Sequence, residues 1–345
     1  MSKTALPDFE NSTIFNSTST TVRDDGRVFL PVFGQSGVWF WIIHIGGASS
    51  LFISICFSFG LVVYLGVMGK RRSRSFWTWK LPERLVIYLA LCDLLWSISH
   101  SIDHYIMITL YDHVPDLPCA ILGFLLNELI FMQAIVVIFT AISAFVLVVK
   151  NKKLQLGRYD WRLLTSSIGI PAGIGFVFVH FDLLGPSGAW CLIDGRNPLY
   201  GLVMSVMSVA MIFTFLFNLG CYAAVVFTVW RITKNIANFN NKEATAKKNC
   251  IETAKTLVIF VIAYAGQWWA YTFYSFWAFV ELPPEWCTLL TVVFSNMGGV
   301  FNFFAYSRFR KSLIEGDCTS SKSGTDSPGP VTATSTGDCT VTITT

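Results

Sequence analysis

Charge is what this sequence has least of. Asp, Glu, Lys and Arg make up 13% of its 345 residues, against roughly 25% in an ordinary soluble domain. That shortage excludes a soluble globular chain as the starting assumption. Histidine is scarce as well, at five residues, which limits any centre built on several imidazoles. The net charge of +4 is no argument for nucleic-acid binding. The opening residues, MSKTALPDFE, lack the apolar core of a signal peptide, so the first long apolar run is expected to act as its own insertion signal. What stands in place of charge is apolar: 53% of the residues are hydrophobic and 15% aromatic, the composition of a membrane protein.

Apolar runs lie at 39–68, 83–110, 119–149, 161–184, 199–230, 250–280 and 286–306. Each is near or above the roughly 20 residues needed to cross the hydrocarbon core. The expected fold is all-α, a seven-transmembrane helix bundle forming one domain over 38–307. Turn residues agree with these breaks, among them Pro115 and Pro118, Gly185-Pro186 and Pro283-Pro284. The segments 69–84, 150–162, 231–255 and 308–322 carry 21 of the 25 Lys and Arg residues. They are therefore cytoplasmic, with the N-terminus outside. Both sequons, at Asn11 and Asn16, fall in the tail 1–37, which is expected to be extracellular and glycosylated. Residues 308–316 form a short basic amphipathic piece ahead of Cys318, a candidate for lipidation. The Ser, Thr, Gly and Pro content of 317–345 predicts a disordered cytoplasmic tail.

Cys119 opens the third run on the outer side, and Cys191, in WCLID, lies in the second outer loop. The outer compartment is oxidising, so a bridge between them is permitted and would pin the loop over the bundle mouth, with Cys287 as a competing outer partner.

The second run carries CDLLWSISHSIDHYIM, with Asp93, His100, Asp103 and His104 inside an otherwise lipid-compatible segment. Asp93, Trp96, Ser97, His100 and His104 recur at helical spacing, with Asp103 bordering the same side. A charge facing lipid at mid-bilayer costs roughly 2.5–3.5 kcal/mol, so this side should face the interior. Asn127, Glu128 and Gln133 on the third run, and Gln267 and Trp268 on the sixth, add polar and aromatic groups. Glu128 is nine residues after Cys119, roughly 13 Å down a helix. His100, Asp103, His104, Asn127, Glu128, Gln267 and Trp268 are the expected lining of an outward ligand cavity. His44, His180 and Asn218, taken singly, read as interhelical glue. Asn302 and Tyr306, four residues apart on the seventh run, suggest with Asp93 a polar contact between the second and seventh helices, in the role of a packing group or an activation switch.

These features resemble the G protein-coupled receptor superfamily over about residues 38–314. LALCDLLWS looks like the second-helix Leu-Ala-x-x-Asp motif of rhodopsin-like receptors, Cys119 and Cys191 match that family's outer disulfide, and NFFAY at 302–306 resembles Asn-Pro-x-x-Tyr with Phe303 in place of proline. Three positions depart from the pattern. Ser143-Ala144-Phe145 stands where Asp-Arg-Tyr is expected, Gly60 where an Asn is expected, and no proline follows the tryptophans of the sixth run. Together with WCLID, these departures look more like the slime-mould cyclic-AMP receptor family and its animal orphan relatives. The resemblance implies a plasma-membrane receptor for an unknown extracellular ligand, coupled to a heterotrimeric G protein, with no cofactor. It does not carry cyclic AMP over as the ligand.

The competing reading from another class is a seven-span zinc hydrolase using His100, Asp103 and His104, with His180 as the only plausible outer third imidazole. A retinal protein would need a lysine in the seventh run, and 286–307 contain none. A transporter or proton channel could use the same carboxylates, but the sequence shows no internal repeat.

Overall fold

The fold was obtained as a computed structural model, which describes residues 30, 32–35, 37–71, 75–234, 241–281 and 283–307. Its helices are α1 (Val38–Arg71), α2 (Leu81–Leu110), α3 (Asp116–Val148), α4 (Trp161–His180), α5 (Tyr200–Lys234), α6 (Asn241–Val280) and α7 (Glu285–Asn296), the last continuing as Gly298–Ser307. Between α4 and α5 two short strands, β1 (Leu184–Pro186) and β2 (Cys191–Ile193), pair antiparallel. The sequons at Asn11 and Asn16, the amphipathic piece 308–316 and the tail with Cys318 lie outside the described residues.

The ends of the helices follow from local chemistry. α2 starts with a proline in its first turn, and the Glu83 carboxylate accepts the Lys80 N–H at 3.3 Å, which satisfies one of the donors that a helix start leaves unpaired. It stops at Tyr111, whose backbone is left-handed. α3 starts after Pro115 with Asp116 in its first turn, where a carboxylate meets the positive end of the helix dipole.

α3 is the central strut, packed against α2, α4, α5, α6 and both strands. Large apolar side chains such as Phe52, Phe176 and Phe213 are exposed, as expected where the solvent is lipid. α1 to α5 are each long and apolar enough to cross a membrane, and α7 with its continuation makes a sixth crossing. α6 is less apolar because its first half carries Lys242, Glu243, Lys247, Lys248, Glu252 and Lys255 and its second half Tyr264, Gln267, Trp268, Tyr271 and Tyr274. The side chains of Tyr264, Gln267, Trp268, Tyr271 and Tyr274 are buried, and α6 packs between α5 and α7 as the remaining helix of the bundle.

Two expected spans are corrected. The fourth ends at His180 rather than 184, because the residues after it turn back into the hairpin. The seventh is not one continuous helix: its two parts meet at an angle of 43° at Met297. In an unbroken helix the Gly299 N–H would bond the Ser295 carbonyl. Here Gly299 N–H donates to Ser54 Oγ at 3.1 Å, and the Ser295 carbonyl accepts from Gln267 Nε2 at 3.0 Å. Both freed backbone groups are thus satisfied by side chains of neighbouring helices, which is what makes a break tolerable inside a membrane. Glycine is required there, since a Cβ on Gly298 would run into Asp93 and Gln267, and one on Gly299 into Ser54 and Ser58.

Candidate functional site

An inner polar cluster is built around Asp93. Gln133 Nε2 donates to Asp93 Oδ1 at 2.6 Å, and Asn302 Nδ2 donates to Asp93 Oδ2 at 2.6 Å. The same Gln133 amide donates to Gln267 Oε1 at 3.1 Å and accepts the Trp268 indole N–H at 2.9 Å. α2, α3, α6 and the continuation of α7 are therefore joined by one chain of hydrogen bonds, each closed at both ends. Tyr306, one turn beyond Asn302, makes a ring contact with Tyr64 of α1.

One turn further out on α2, the Asn296 side chain receives two partners. Trp96 Nε1 donates to its Oδ1 at 3.1 Å, and His100 Nδ1 lies 2.9 Å from the same oxygen. An indole N–H can only donate, so the amide oxygen must face it, and His100 must then donate from Nδ1. In the neutral ring this leaves Nε2 as a bare acceptor, and Nε2 has no partner among the described residues. His104 is held by His44 of α1, Nδ1 to Nδ1 at 2.8 Å, one ring donating and the other accepting.

Asp103 has a structural contact of its own. Its Oδ2 accepts the Cys191 backbone N–H at 2.6 Å, beside the disulfide that joins Cys119 to Cys191 with a Cα–Cα distance of 5.2 Å. Together they pin the hairpin into the mouth of the bundle. Gly123 of α3 lets the Leu192 backbone approach, since a Cβ there would sit 2.8 Å from its carbonyl oxygen. The rim is tied by Arg196, whose fork reaches Asp194 at 2.7 Å and Asp116 at 2.8 Å. Hydrogen bonding to Asp194 first, and to Asp116 as well, holds that guanidinium above its ordinary range. The chain just before α1 closes over the same face: His113 lies 2.9 Å from the Leu30 carbonyl, and its burial lowers the imidazole below its usual value.

Beneath the hairpin lies a small cavity of about 10 Å³, room for about one water. Trp96, His100, Trp190, Trp268 and Tyr271 form most of its polar and aromatic wall. Of the seven residues expected to line a ligand cavity, only His100 and Trp268 stand on this wall. Asp103, His104 and Gln267 are committed to Cys191, His44 and the α7 break. Asn127 and Glu128 are off it for a reason of helix phase: at 100° per residue Glu128 points roughly 180° away from Cys119, whereas Leu126 and Ile130, on the wall, lie within roughly 20° of it. Glu128 follows Phe124 by one turn, on the side that packs against Gly175 and Phe176 of α4. Both Glu128 oxygens and both Asn127 amide atoms are buried without a partner among the described residues. His44 is the imidazole that joins His100 and His104, while His180 is exposed at the end of α4. Among the described residues no group of three or more His, Cys, Asp or Glu is placed to hold a metal ion.

Two features escaped the sequence reading. Trp190 enters the cavity, a position signalled only by its place one residue before Cys191. At the end of the bundle opposite the hairpin, Arg84 grips Asp160 with two bonds, at 2.7 and 2.8 Å. Tyr88 also donates to Asp160, at 2.9 Å, and Arg84 Nη1 donates to the Trp79 carbonyl at 2.7 Å. Asp160 is the one acid of the basic segment 150–162, a signal that was available.

No family model and no curated protein matches the sequence. The structure is similar to the crystal structure of squid rhodopsin, with a TM-score of 0.66 over 92% of this chain and 99% of that chain, at 17% identity. At that identity the likeness carries architecture alone: the chain is a seven-transmembrane helix bundle with the fold of rhodopsin.

Proposed function

We propose that the chain is a G protein-coupled receptor of the plasma membrane that binds an extracellular ligand in the outer half of the bundle and acts on a heterotrimeric G protein at its cytoplasmic face. The observation that carries this reading is the path from cavity to break. Trp268 offers its ring to the cavity and its N–H to Gln133, which holds Asp93, which holds Asn302 beyond the bend in α7. A ligand that moves Trp268 thereby acts on the inner half of α7, and with a bend already satisfied by side chains, two helix arrangements can differ by little free energy. Asp93, Asn302 and Tyr306 are the switch residues in this reading, and His100 and Trp268 the ligand contacts, with Asp103 and His104 behind them as supports.

The finer likeness to the slime-mould cyclic-AMP receptor family rests on Trp190-Cys191 and on Ser143-Ala144-Phe145 where an arginine motif is usual. It does not extend to the ligand: among the described residues no Lys or Arg lines the cavity to meet a cyclic phosphate. Glycosylation at Asn11 and Asn16 and lipidation at Cys318 belong to the same reading. A zinc hydrolase has no ligand set among the described residues.

The test is nucleotide exchange by a panel of purified G proteins mixed with the receptor in lipid nanodiscs, with and without tissue extract. Exchange above protein-free vesicles on at least one G protein, lost in Gln133→Ala, is the expected result. Exchange unaffected by Gln133→Ala would overturn the proposed path, and an absence of exchange on every G protein would overturn the receptor reading.

A further inference from the structure

The outer cavity is nearly full, and part of what fills it is the second outer loop. Residues 183–193 are all buried, whereas connecting segments usually run over the surface because buried backbone needs partners. Here the partners are provided. The strands pair with each other, Asp103 takes the Cys191 N–H, and the Ser187 N–H and hydroxyl both donate to the Trp190 carbonyl at 2.9 Å. The Phe33 N–H donates to the Gly188 carbonyl at 3.1 Å, and Gly188, at a φ of 100°, has the Phe33 ring where a Cβ would be. This mount holds the Trp190 indole down in the bundle, 5.2 Å from the ring of Tyr274 and edge-on to His100 at 6.5 Å.

The wall around it has almost no unspent polarity. The Trp96 and Trp268 N–H groups are given to Asn296 and Gln133, Thr291 donates to the Cys287 carbonyl at 2.9 Å, and Ser295 to the Val292 carbonyl at 3.4 Å. Among the described residues His100 Nε2 is the wall's buried polar atom without a partner, and by the tautomer argument above it is an acceptor. Among the described residues no Asp, Glu, Lys or Arg lines the cavity, so a charged ligand would be buried against aromatic faces without a counter-ion.

Resting on the reading of this cavity as the ligand site, we infer that the site takes a neutral, flat aromatic ligand carrying one N–H or O–H donor for His100 Nε2, and that Trp190 is the chain's own occupant of that place. Edge and face contacts with the surrounding rings supply the binding, and the single donor supplies the orientation. A ligand from outside must displace Trp190, and removing the tethered indole leaves a hole in which a free indole can turn its N–H to His100 Nε2, an atom that the Trp190 ring does not meet.

The test uses the full chain in lipid nanodiscs carrying Trp190→Ala, with indole, 1-methylindole and tryptamine as probes at millimolar concentration. Trp190→Ala should lower Tm by an amount on the order of 5 °C. Indole should recover most of that loss, and 1-methylindole, which lacks the donor, and tryptamine, which is charged, should recover much less. Adding His100→Phe should erase the advantage of indole over 1-methylindole. Equal recovery by all three probes, greater recovery by tryptamine, or no recovery by indole in the folded variant would each overturn the inference. If Trp190→Ala does not fold, Trp190→Leu, which keeps half the packing, decides by the same comparison. The readout needs no G protein. Indole recovery in a protein silent in nucleotide exchange therefore counts against the receptor reading alone, and exchange by a protein that indole leaves unchanged counts against this inference alone.

Discussion

The two buried polar clusters of the bundle differ in how completely they are satisfied. In the inner one, no side-chain polar atom of Asp93, Gln133, Gln267, Trp268 or Asn302 is among the buried atoms left without a partner. In the outer one, the Nε2 atoms of His44, His100 and His104, Asp103 Oδ1 and Asn296 Nδ2 all lack a partner among the described residues. A fully connected network in a low-dielectric interior holds its helices in one arrangement, while unspent donors and acceptors cost free energy until something meets them. The inner cluster therefore holds the helices around it together, while in the function proposed above the outer one contributes a single atom on the cavity wall, His100 Nε2, for a ligand to meet.

That contrast can be broken from either side. The largest expected effect is at Asp93. Asp93→Ala strips the acceptor from both Gln133 and Asn302 and should cost about 3 kcal/mol, read as a fall in Tm of the purified protein on the order of 5 °C or more. An unchanged Tm would mean that the inner cluster does not hold α7. Asp103→Ala should cost less, about 1–3 kcal/mol, because the disulfide still pins the hairpin. Its signature is faster reduction of Cys119–Cys191 by dithiothreitol, with Asp103→Asn, which keeps an acceptor oxygen, close to the wild-type rate. The smallest effect is at the histidine pair. His44→Leu or His104→Leu alone should cost about 1 kcal/mol, and the double variant little more than either single one, because removing both partners leaves no orphan on that contact. Additive losses in that cycle would show that the 2.8 Å contact is incidental.

Most of the architecture was legible in advance. Apolar length requires several crossings whatever the packing, and the crossing segments must be helical because unpaired backbone cannot face lipid. The residues bonded at the centre, Asp93 and Asn302, were also locatable, since an ionisable group at mid-membrane needs a partner. Depth below Cys119 puts Glu128 level with an outward cavity, but helix phase, roughly 180° from Cys119, turns it to the α4 side. The hairpin was read only as a pinned loop, because three-residue strands give no periodicity to detect.

Composition and spacing thus settle what must be local or must answer to the solvent: which segments cross and which helix face avoids lipid. The partners that give those faces their chemistry come from far along the chain. His44 meets His104 and Asn296 meets His100 only because α1 and α7 pack against α2. The break in α7 depends on Ser54 and Gln267 arriving from two other helices to satisfy one separated N–H and C=O pair. A hydrogen bond needs both atoms within about 3 Å, and only the assembled bundle brings them that close.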